Sequence, residues 1–514
     1  MLELAVFLCG AVVMVLELTG SRVLAPFLGT SIVVWTSLIG VVLGALSLGY
    51  WWGGRLADRR PEPKLLARLI LLAAVATLAM AASKGLLLAF LQNRTAWGVS
   101  ELPLPMAGAT LAATLILFGP ASVLLGVVSP FAVRLRMESA ASSGRTAGNL
   151  YALSTLGSIV GTFSAGFWLT ATLGTTNIIL CMAGVLVAAS ACVYRGDGVA
   201  KLAALALVGL AAVTLSAWDG QFQRVGLYDL DTGYQRVLVF NTEDGGGGGQ
   251  MRVMTTGPEG MQSGMFVDDP LALAVPYTRF YRLAGHFRPD TRRMLMLGGG
   301  GYSFPKYVMS QPQEFGGQPH LDVVEIDPGI TAIAGEYFGW PGHPDVRVHH
   351  DDARRFLARA QGRAQARAQD DGDTYQVALM DVFTSHYSVP FHLATRETVQ
   401  ALSGLLDADG VVLVNCISAA EGPRSRFYRA LLATYKSVFP RVESFLVLNP
   451  ADPTEFQNIL LVAFKSPVAP ALTSPKADLQ AMLDTRYVPQ AHLPGDPPVL
   501  TDDFAPVDHY LLSL

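Results

Sequence analysis

The 514 residues carry 37 Lys and Arg against 41 Asp and Glu, and the resulting net charge of −4 averages over two unlike halves. Residues 1–218 hold 20 charged side chains with a net charge of +6, whereas residues 219–514 hold 58 with a net charge of −10. That contrast excludes one uniform globular protein and implies an apolar, membrane-spanning domain (1–218) followed by a soluble α/β chain.

In chain order, apolar runs near 3–20, 31–52, 65–91, 107–133, 149–171, 177–194 and 202–218 predict about seven transmembrane helices. The first run continues past the length of a signal peptide, and no small-residue cleavage site follows an early basic stretch, so it is expected to remain as a span. Within it Glu17 is followed five residues later by Arg22; an acid there is a functional candidate, against the plainer reading of a solvated residue at a helix end. The stretch GYWWGGRLADRRP at 49–61 resembles the loop between the second and third helices of major facilitator transporters, a similarity that extends to a helix hairpin more than to transport. Ten cations (Arg55, Arg59, Arg60, Lys64, Arg68, Arg134, Arg136, Arg145, Arg195, Lys201) fall in alternate loops against three in the others (Arg22, Lys84, Arg94). This places the N-terminus inside. Seven spans would then put the soluble part outside, unless an eighth crossing or a re-entrant hairpin intervenes.

Of the four cysteines, Cys9, Cys181 and Cys192 lie in apolar spans, and with Cys416 they form no CxxC pair; buried packing is the reading. His349 and His350 are adjacent and would point to opposite faces of a strand, so no metal site is expected.

Residues 219–290 begin with RVLVF, MRVMTT and MFVDD separated by turn-like stretches, which predicts a small β-sheet ahead of the main domain at 291–514. There MLMLGGGGYSFPKYV (294–308) is an apolar strand, a glycine turn and a helix start. LDVVEIDPGITAIAGEYFG (321–339) is a second strand ending in acid and opening another helix, which completes a βαβ unit. In such a unit the glycines let the backbone approach a ligand and the acid accepts bonds from a ribose, although the 27 residues from Gly298 to Glu325 exceed the dinucleotide spacing of about 20. DVRVHHDDARRFL (345–357) adds a strand whose Asp352 either reads an adenine amino group or caps the following helix, since the two roles look alike in sequence. YQVALMDVFTSHYSVPFHL (375–393) is a strand ending in Asp381, and GVVLVN (410–415) is a fifth. This order predicts a doubly wound, Rossmann-like sheet with the ligand at the carboxyl ends of the strands.

Here the chain resembles the spermidine synthases (polyamine aminopropyltransferases), most closely their membrane-fused relatives, through LGGGG at 297–301, VEIDP at 324–328, HDDAR at 350–354, MDVF at 380–383 and a tail, TDDFAPVD, at 501–508. The resemblance implies a fold like that of the class I methyltransferases. It implies that Gly298, Gly299 and Gly300 pass the aminopropyl chain of decarboxylated S-adenosylmethionine, Glu325 (with Asp327 in the same motif) holds its ribose, Asp352 its adenine, and Asp381 takes a proton from the attacking amine. Tyr277, Tyr302, Thr384, His386 and Tyr387, with Gln262 nearer the cosubstrate, are the further candidates for lining the pocket. The chain also departs from the pattern. Soluble members read GGGDG where this chain has Gly301, D-S-x-D-P where Thr384 stands, and Tyr-His-Glu where Tyr277, Thr278 and Arg279 stand. A dicationic acceptor would meet less countercharge here, and leaving a buried ammonium unpaired costs several kcal/mol, on the order of 3–5. Two other classes follow: a methyltransferase using S-adenosylmethionine itself, whose carboxylate Arg279 would face, and a nucleoside or polyamine sensor or transporter without catalysis. The expected partners are a polyamine-like or membrane-linked amine, the lipid bilayer and a second copy in a homodimer, with neither nucleic acid nor metal. The expected location is the inner membrane, with the soluble part on the cytoplasmic face, where its cosubstrate is made.

Overall fold

A computed structural model describes residues 1–28, 31–92, 106–137, 139, 143–224, 226–243, 249–256, 261–366, 374–382, 389–489 and 497–512. The chain divides into two compact units, the first from Met1–Leu238 and the second taking in Val239–Thr255 and Met261–Leu514.

The first unit is helical: α1 (Leu2–Leu28), α2 (Ile32–Arg59), α3 (Pro63–Gln92), α4 (Met106–Gly126), α5 (Val128–Arg136), α6 (Ser143–Ser164), the single turn α7 (Thr170–Thr172), α8 (Thr175–Val193) and α9 (Gly198–Arg224), after which comes the strand β1 (Tyr228–Asp231). Seven stretches among the described residues are long and apolar enough to cross a bilayer, with α4 and α5 together forming one of them. Lipid offers helices no hydrophobic drive to associate, so close approach of small residues substitutes for it. A side chain at Gly157 or Gly161 of α6 would strike the carbonyl oxygens of Phe7 or Ala11 on α1, and one at Gly49 of α2 would strike that of Val123 on α4. Ion pairs gather the charged ends: Arg134 lies 3.4 Å from Asp58, Arg136 3.4 Å from Glu3, and Arg68 2.8 Å from Asp197. The amino end of α1, the carboxyl ends of α2 and α5, the amino end of α3 and the α8–α9 turn therefore share one end of the bundle.

Strand β2 (Arg236–Glu243) begins in the first unit and continues into the second, where β3 (Gln250–Thr255) and β4 (Ser263–Phe266) follow it in that order in a small sheet, with β3 and β4 antiparallel. Two short helices, α10 (Pro276–Phe280) and α11 (Leu283–Phe287), lead into the main domain. Its elements are β5 (Arg293–Leu297), α12 (Ser303–Ser310), β6 (His320–Glu325), α13 (Pro328–Tyr337), β7 (Val346–His350), α14 (Ala353–Ala366), β8 (Tyr375–Met380), α15 (Arg396–Gly404), β9 (Leu406–Ser418), α16 (Arg426–Lys436), β10 (Arg441–Leu446), β11 (Gln457–Phe464), α17 (Ala477–Leu483), β12 (Arg486–Tyr487) and α18 (Val507–Leu512).

Eight strands form one sheet in the order β12-β10-β11-β9-β8-β5-β6-β7. The five from β9 to β7 are parallel, and β11, β10 and β12 continue the sheet antiparallel. The parallel strands read as unbroken apolar runs because helices cover both faces. Leu295, Leu297, Val324, Ala378, Met380 and Val414 pack under α14, α15 and α16 through Phe356, Leu402 and Leu431; Met294, Met296, Val323, Leu379 and Leu413 pack on the other side with Phe304, Val308 and Leu483. Strand β5 comes first in the chain yet lies centrally, with the crossovers running outward through β6 and β7 on one side and through β8 and β9 on the other. The order reverses between β5 and β8, and a crevice at the carboxyl ends of those strands is where such sheets hold ligands.

Candidate active site

The glycine turn occupies that switch point. Gly298 has φ of 91° and Gly300 of 50°, both in the left-handed region, and a Cβ on Gly298 would collide with the carbonyl oxygen of Asp381 at the end of β8. Glycine is therefore required twice over at Gly298, by the dihedral and by the close passage of the neighbouring strand end. The turn is pinned on both sides: Gly298 N donates to Val324 O at 2.8 Å, and Asp381 N donates to Leu297 O at 2.8 Å. Gly299 N donates to Glu325 Oε2 at 2.9 Å and Gly301 N to Ser263 Oγ at 2.9 Å. Tyr302 ends the turn in a left-handed conformation at the N-cap position of α12, without a side-chain capping bond.

Glu325, at the end of β6, is buried, with Asp327 N donating to its Oε1 at 2.9 Å. Burial raises its pKa, and the amide donors oppose that rise. Each carboxylate oxygen retains lone pairs for a vicinal diol. Asp327 is fully buried, and its Oδ1 accepts from Gly329 N at 2.9 Å at the N-cap of α13. Asp352 behaves similarly with one oxygen: its Oδ1 accepts from Arg355 N at 2.9 Å, while Oδ2 lies 3.6 Å from His392 Nε2. The capping role and an open oxygen thus coexist in one side chain.

Asp381 is the focus of a network. Tyr277, in α10, donates its hydroxyl to Asp381 Oδ2 at 3.0 Å, and Asn415, near the end of β9, donates Nδ2 to Oδ1 at 3.2 Å. The orientation of the Asn415 amide is fixed by Asn458 on β11, whose Nδ2 donates to Asn415 Oδ1 at 2.9 Å. Burial pushes the Asp381 carboxyl up to about 6, even though Asn415 and Tyr277 hold it down. Burial and the charge of Asp381 together carry the Tyr277 hydroxyl well above its usual range, which keeps it a donor. Tyr281 stacks edge-on against Tyr277 with centroids 5.6 Å apart, and its buried hydroxyl also faces the Asp381 carboxylate and helps hold its pKa down.

Tyr302 is buried with its ring stacked on Trp340 and its hydroxyl 2.8 Å from Thr331 Oγ1. Gln262 precedes the Ser263 that receives the Gly301 amide, and its own backbone N donates to Met254 O at 2.9 Å. Thr384, His386 and Tyr387 lie outside the described residues. Arg279 gives its guanidinium to the carbonyls of Leu273 and Ala274, at 2.8 and 3.3 Å. Residues not singled out from the sequence include Asn415, Asn458, Tyr281, Ser263 and Thr331. The available signal for Asn415 was a polar residue closing the otherwise apolar GVVLVN strand, whereas Asn458 has no local signal.

Comparison with known proteins adds relatives for the soluble part. No family model matches the chain. A polyamine aminopropyltransferase from Vibrio vulnificus is 34% identical over 172 residues, 34% of this chain and 52% of that protein, so the match spans about half of the relative's length. A human eEF1A lysine and N-terminal methyltransferase is 27% identical over 148 residues, 29% of this chain and 20% of its own. Among solved structures, a probable spermidine synthase from Corynebacterium glutamicum aligns over 51% of this chain and 86% of that one, at 21% identity and a TM-score of 0.37. Over these parts of its length the chain thus resembles polyamine aminopropyltransferases and, more distantly, eEF1A methyltransferases in sequence.

Proposed function

We propose that the chain is a membrane-anchored transferase that moves the aminopropyl group of decarboxylated S-adenosylmethionine to an amine. The observation carrying this reading is Asp381: one buried carboxylate at the switch point, its titration raised to about 6, held between Tyr277 and Asn415 beside the glycine turn. A base with that pKa is mostly ionised near neutral pH and still accepts a proton readily. The amine nitrogen attacks the propyl carbon next to the sulfonium; the C–N bond forms, the C–S bond breaks with its electron pair going to sulfur, and the neutral thioether of adenosine leaves. Asp381 takes the proton that the new ammonium sheds. Glu325 holds the ribose diol, Asp352 Oδ2 the adenine amino group, and Gly298–Gly300 leave room for the chain bearing the reacting carbon. Holding donor and acceptor in line supplies much of the rate, since such positioning is worth about 7–11 kcal/mol in favourable cases.

One observation favours a second reading. In the aminopropyltransferase pattern a carboxylate follows the glycines, but a Cβ at Gly301 would come within 3.0 Å of Ser263 Cβ and 3.3 Å of the Phe338 ring. The position is filled from outside, which leaves the ammonium of an aminopropyl chain without that partner and suits a cosubstrate with its own carboxylate. Calorimetric titration of the detergent-purified protein with decarboxylated S-adenosylmethionine, and separately with S-adenosylmethionine, tests both. Tighter binding of the decarboxylated form supports aminopropyl transfer. The reverse preference makes the chain a methyltransferase, and no binding of either removes both.

The bundle bears on location. Its cation-rich end holds the amino end of α1, and seven crossings deliver the chain to the opposite end, which by the bias of positive charge is the outer one. The cosubstrate argues for the cytoplasmic face. A C-terminal alkaline phosphatase fusion active in cells would place the reaction outside the cytoplasm and require an external nucleoside supply, whereas a fluorescent C-terminal green fluorescent protein fusion would require a further crossing.

A further inference from the structure

The tail at 501–508 has no part in the chemistry above, yet its contacts reach the nucleoside end of the crevice. Asp502 Oδ2 pairs with Arg354 Nη2 at 2.6 Å, and Asp502 Oδ1 accepts from Thr395 Oγ1 at 2.7 Å. The tail backbone is tied at the same place: Asp502 N donates to Glu397 Oε2 at 3.0 Å, and Arg396 N donates to Leu500 O at 2.8 Å. Arg354, in the first turn of α14, uses its other nitrogen on His392 O at 3.2 Å, Thr395 Oγ1 at 3.1 Å and the Thr398 hydroxyl. Thr395 and Thr398 are fully buried. Arg354 therefore bolts the segment carrying His392 to the start of α14, and Asp502 supplies the countercharge and completes the fork. Asp352 stands two residues before Arg354 and faces His392 at 3.6 Å.

We propose that Asp502 is a positioning residue for adenine selectivity: through Arg354 and Thr395 it fixes the α14 start and the His392 segment, and so aims Asp352 Oδ2. The proposal rests on the nucleoside reading of Asp352. Its logic is geometric rather than energetic. An ion pair as exposed as this one contributes little stability, about 0–1 kcal/mol. A carboxylate that must accept a base's amino proton, however, tolerates little displacement before the bond is lost. With Asp502 neutral, Arg354 keeps its carbonyl and hydroxyl acceptors but loses the partner that fixes its plane. The first turn of α14 and the His392 segment can then shift against each other, carrying the open oxygen of Asp352 away from its target.

The test compares the full-length protein with Asp502→Asn by calorimetry, using 5′-methylthioadenosine and its hypoxanthine counterpart 5′-methylthioinosine, which presents a carbonyl oxygen where adenine has the amino group. The wild type is expected to prefer the adenine form by tenfold or more, and Asp502→Asn to reduce that preference to about threefold or less with its melting temperature little changed, since a carboxylate–amino bond is worth about 1.5–3 kcal/mol. A general loosening would weaken both ligands equally and leave the ratio intact, which would overturn the proposal. If Asp502→Asn does not fold, Thr395→Ser and Thr395→Val replace it. The serine retains the hydroxyl and should preserve the ratio, the valine should collapse it, and equal ratios in the two refute the positioning role. Absence of binding by the wild type would sink the nucleoside reading itself, while wild-type binding with an unchanged ratio in Asp502→Asn sinks only this inference.

Discussion

Replacing Asn415 by Leu removes the first of the hydrogen bonds that hold Asp381 ionised while preserving the volume of the side chain. The lost bond, 3.2 Å long, is from a neutral donor to a charged acceptor. Such bonds contribute about 1.5–3 kcal/mol, which at 1.36 kcal/mol per pKa unit is roughly one to two units. The Asp381 carboxyl, now near 6, should move to between about 7 and 8. Because the free base is the competent form, the acid limb of the kcat/KM profile should follow it upward. Taking a value near 7.5, the ionised fraction at pH 6 falls from about a half to about 3%, a loss of roughly fifteenfold, while at pH 9 the variant should approach the wild-type rate. Asn458, freed of its acceptor, is partly exposed and can turn to water, so collapse of the fold is not the expected outcome. The assay is initial rate against pH from 5.5 to 9.5 with saturating and limiting cosubstrate. A uniform loss across that range, with the acid limb unmoved, would refute the argument that Asn415 acts on the ionisation of Asp381.

Tyr277→Phe removes a second donor and should displace the same limb upward by a comparable amount; a profile that keeps its wild-type midpoint would exclude Tyr277 from the network. Asp381→Asn should abolish turnover while leaving nucleoside affinity within about threefold, as read by calorimetry, since it removes the base and touches no ribose or adenine contact. The same variant has a thermodynamic signature. The Asp381 pKa is raised on folding, so the folded state binds more protons than the unfolded one between about 4 and 6, and wild-type stability is lost as pH rises through that window. The stability of Asp381→Asn relative to wild type should therefore grow between pH 4 and 7, by on the order of 3 kcal/mol, and denaturant titrations showing no such divergence would argue against a buried, raised carboxyl. Gly298→Ala meets both a left-handed dihedral and the Asp381 carbonyl, so it should cost several kcal/mol, about 2–4, and disable the site; retention of full activity would mean that the β5 and β8 ends do not pass as closely as described.

The parts legible from sequence are those governed by local patterning. Length and apolarity of successive runs gave seven spans, because a bilayer imposes its thickness on each helix separately. Apolar strands followed by Gly or acid gave the βαβ order, because a parallel strand buried on both faces must be apolar along its length. Asp352 shows the limit of that reading: capping and ligand recognition ask for the same residue at the same place, and only the structure shows one oxygen spent on the Arg355 amide and the other facing His392. Asp327 likewise reads as part of a ribose motif, and only the structure shows its Oδ1 at the cap of α13.

Local patterning along the chain sets the seven apolar runs, the strand and helix order of the α/β part, and the type of residue at each strand's end, all of which follow from periodicity within about ten residues. Tertiary structure alone decided which of those ends meet. Tyr277 and Asp381 are 104 residues apart, Asn415 and Asn458 are 43 apart on antiparallel strands, and Asp502 reaches Arg354 across 148 residues. Such contacts depend on which strand pairs with which and in what register, and that choice is set by the packing of the whole sheet rather than by any segment's own preference.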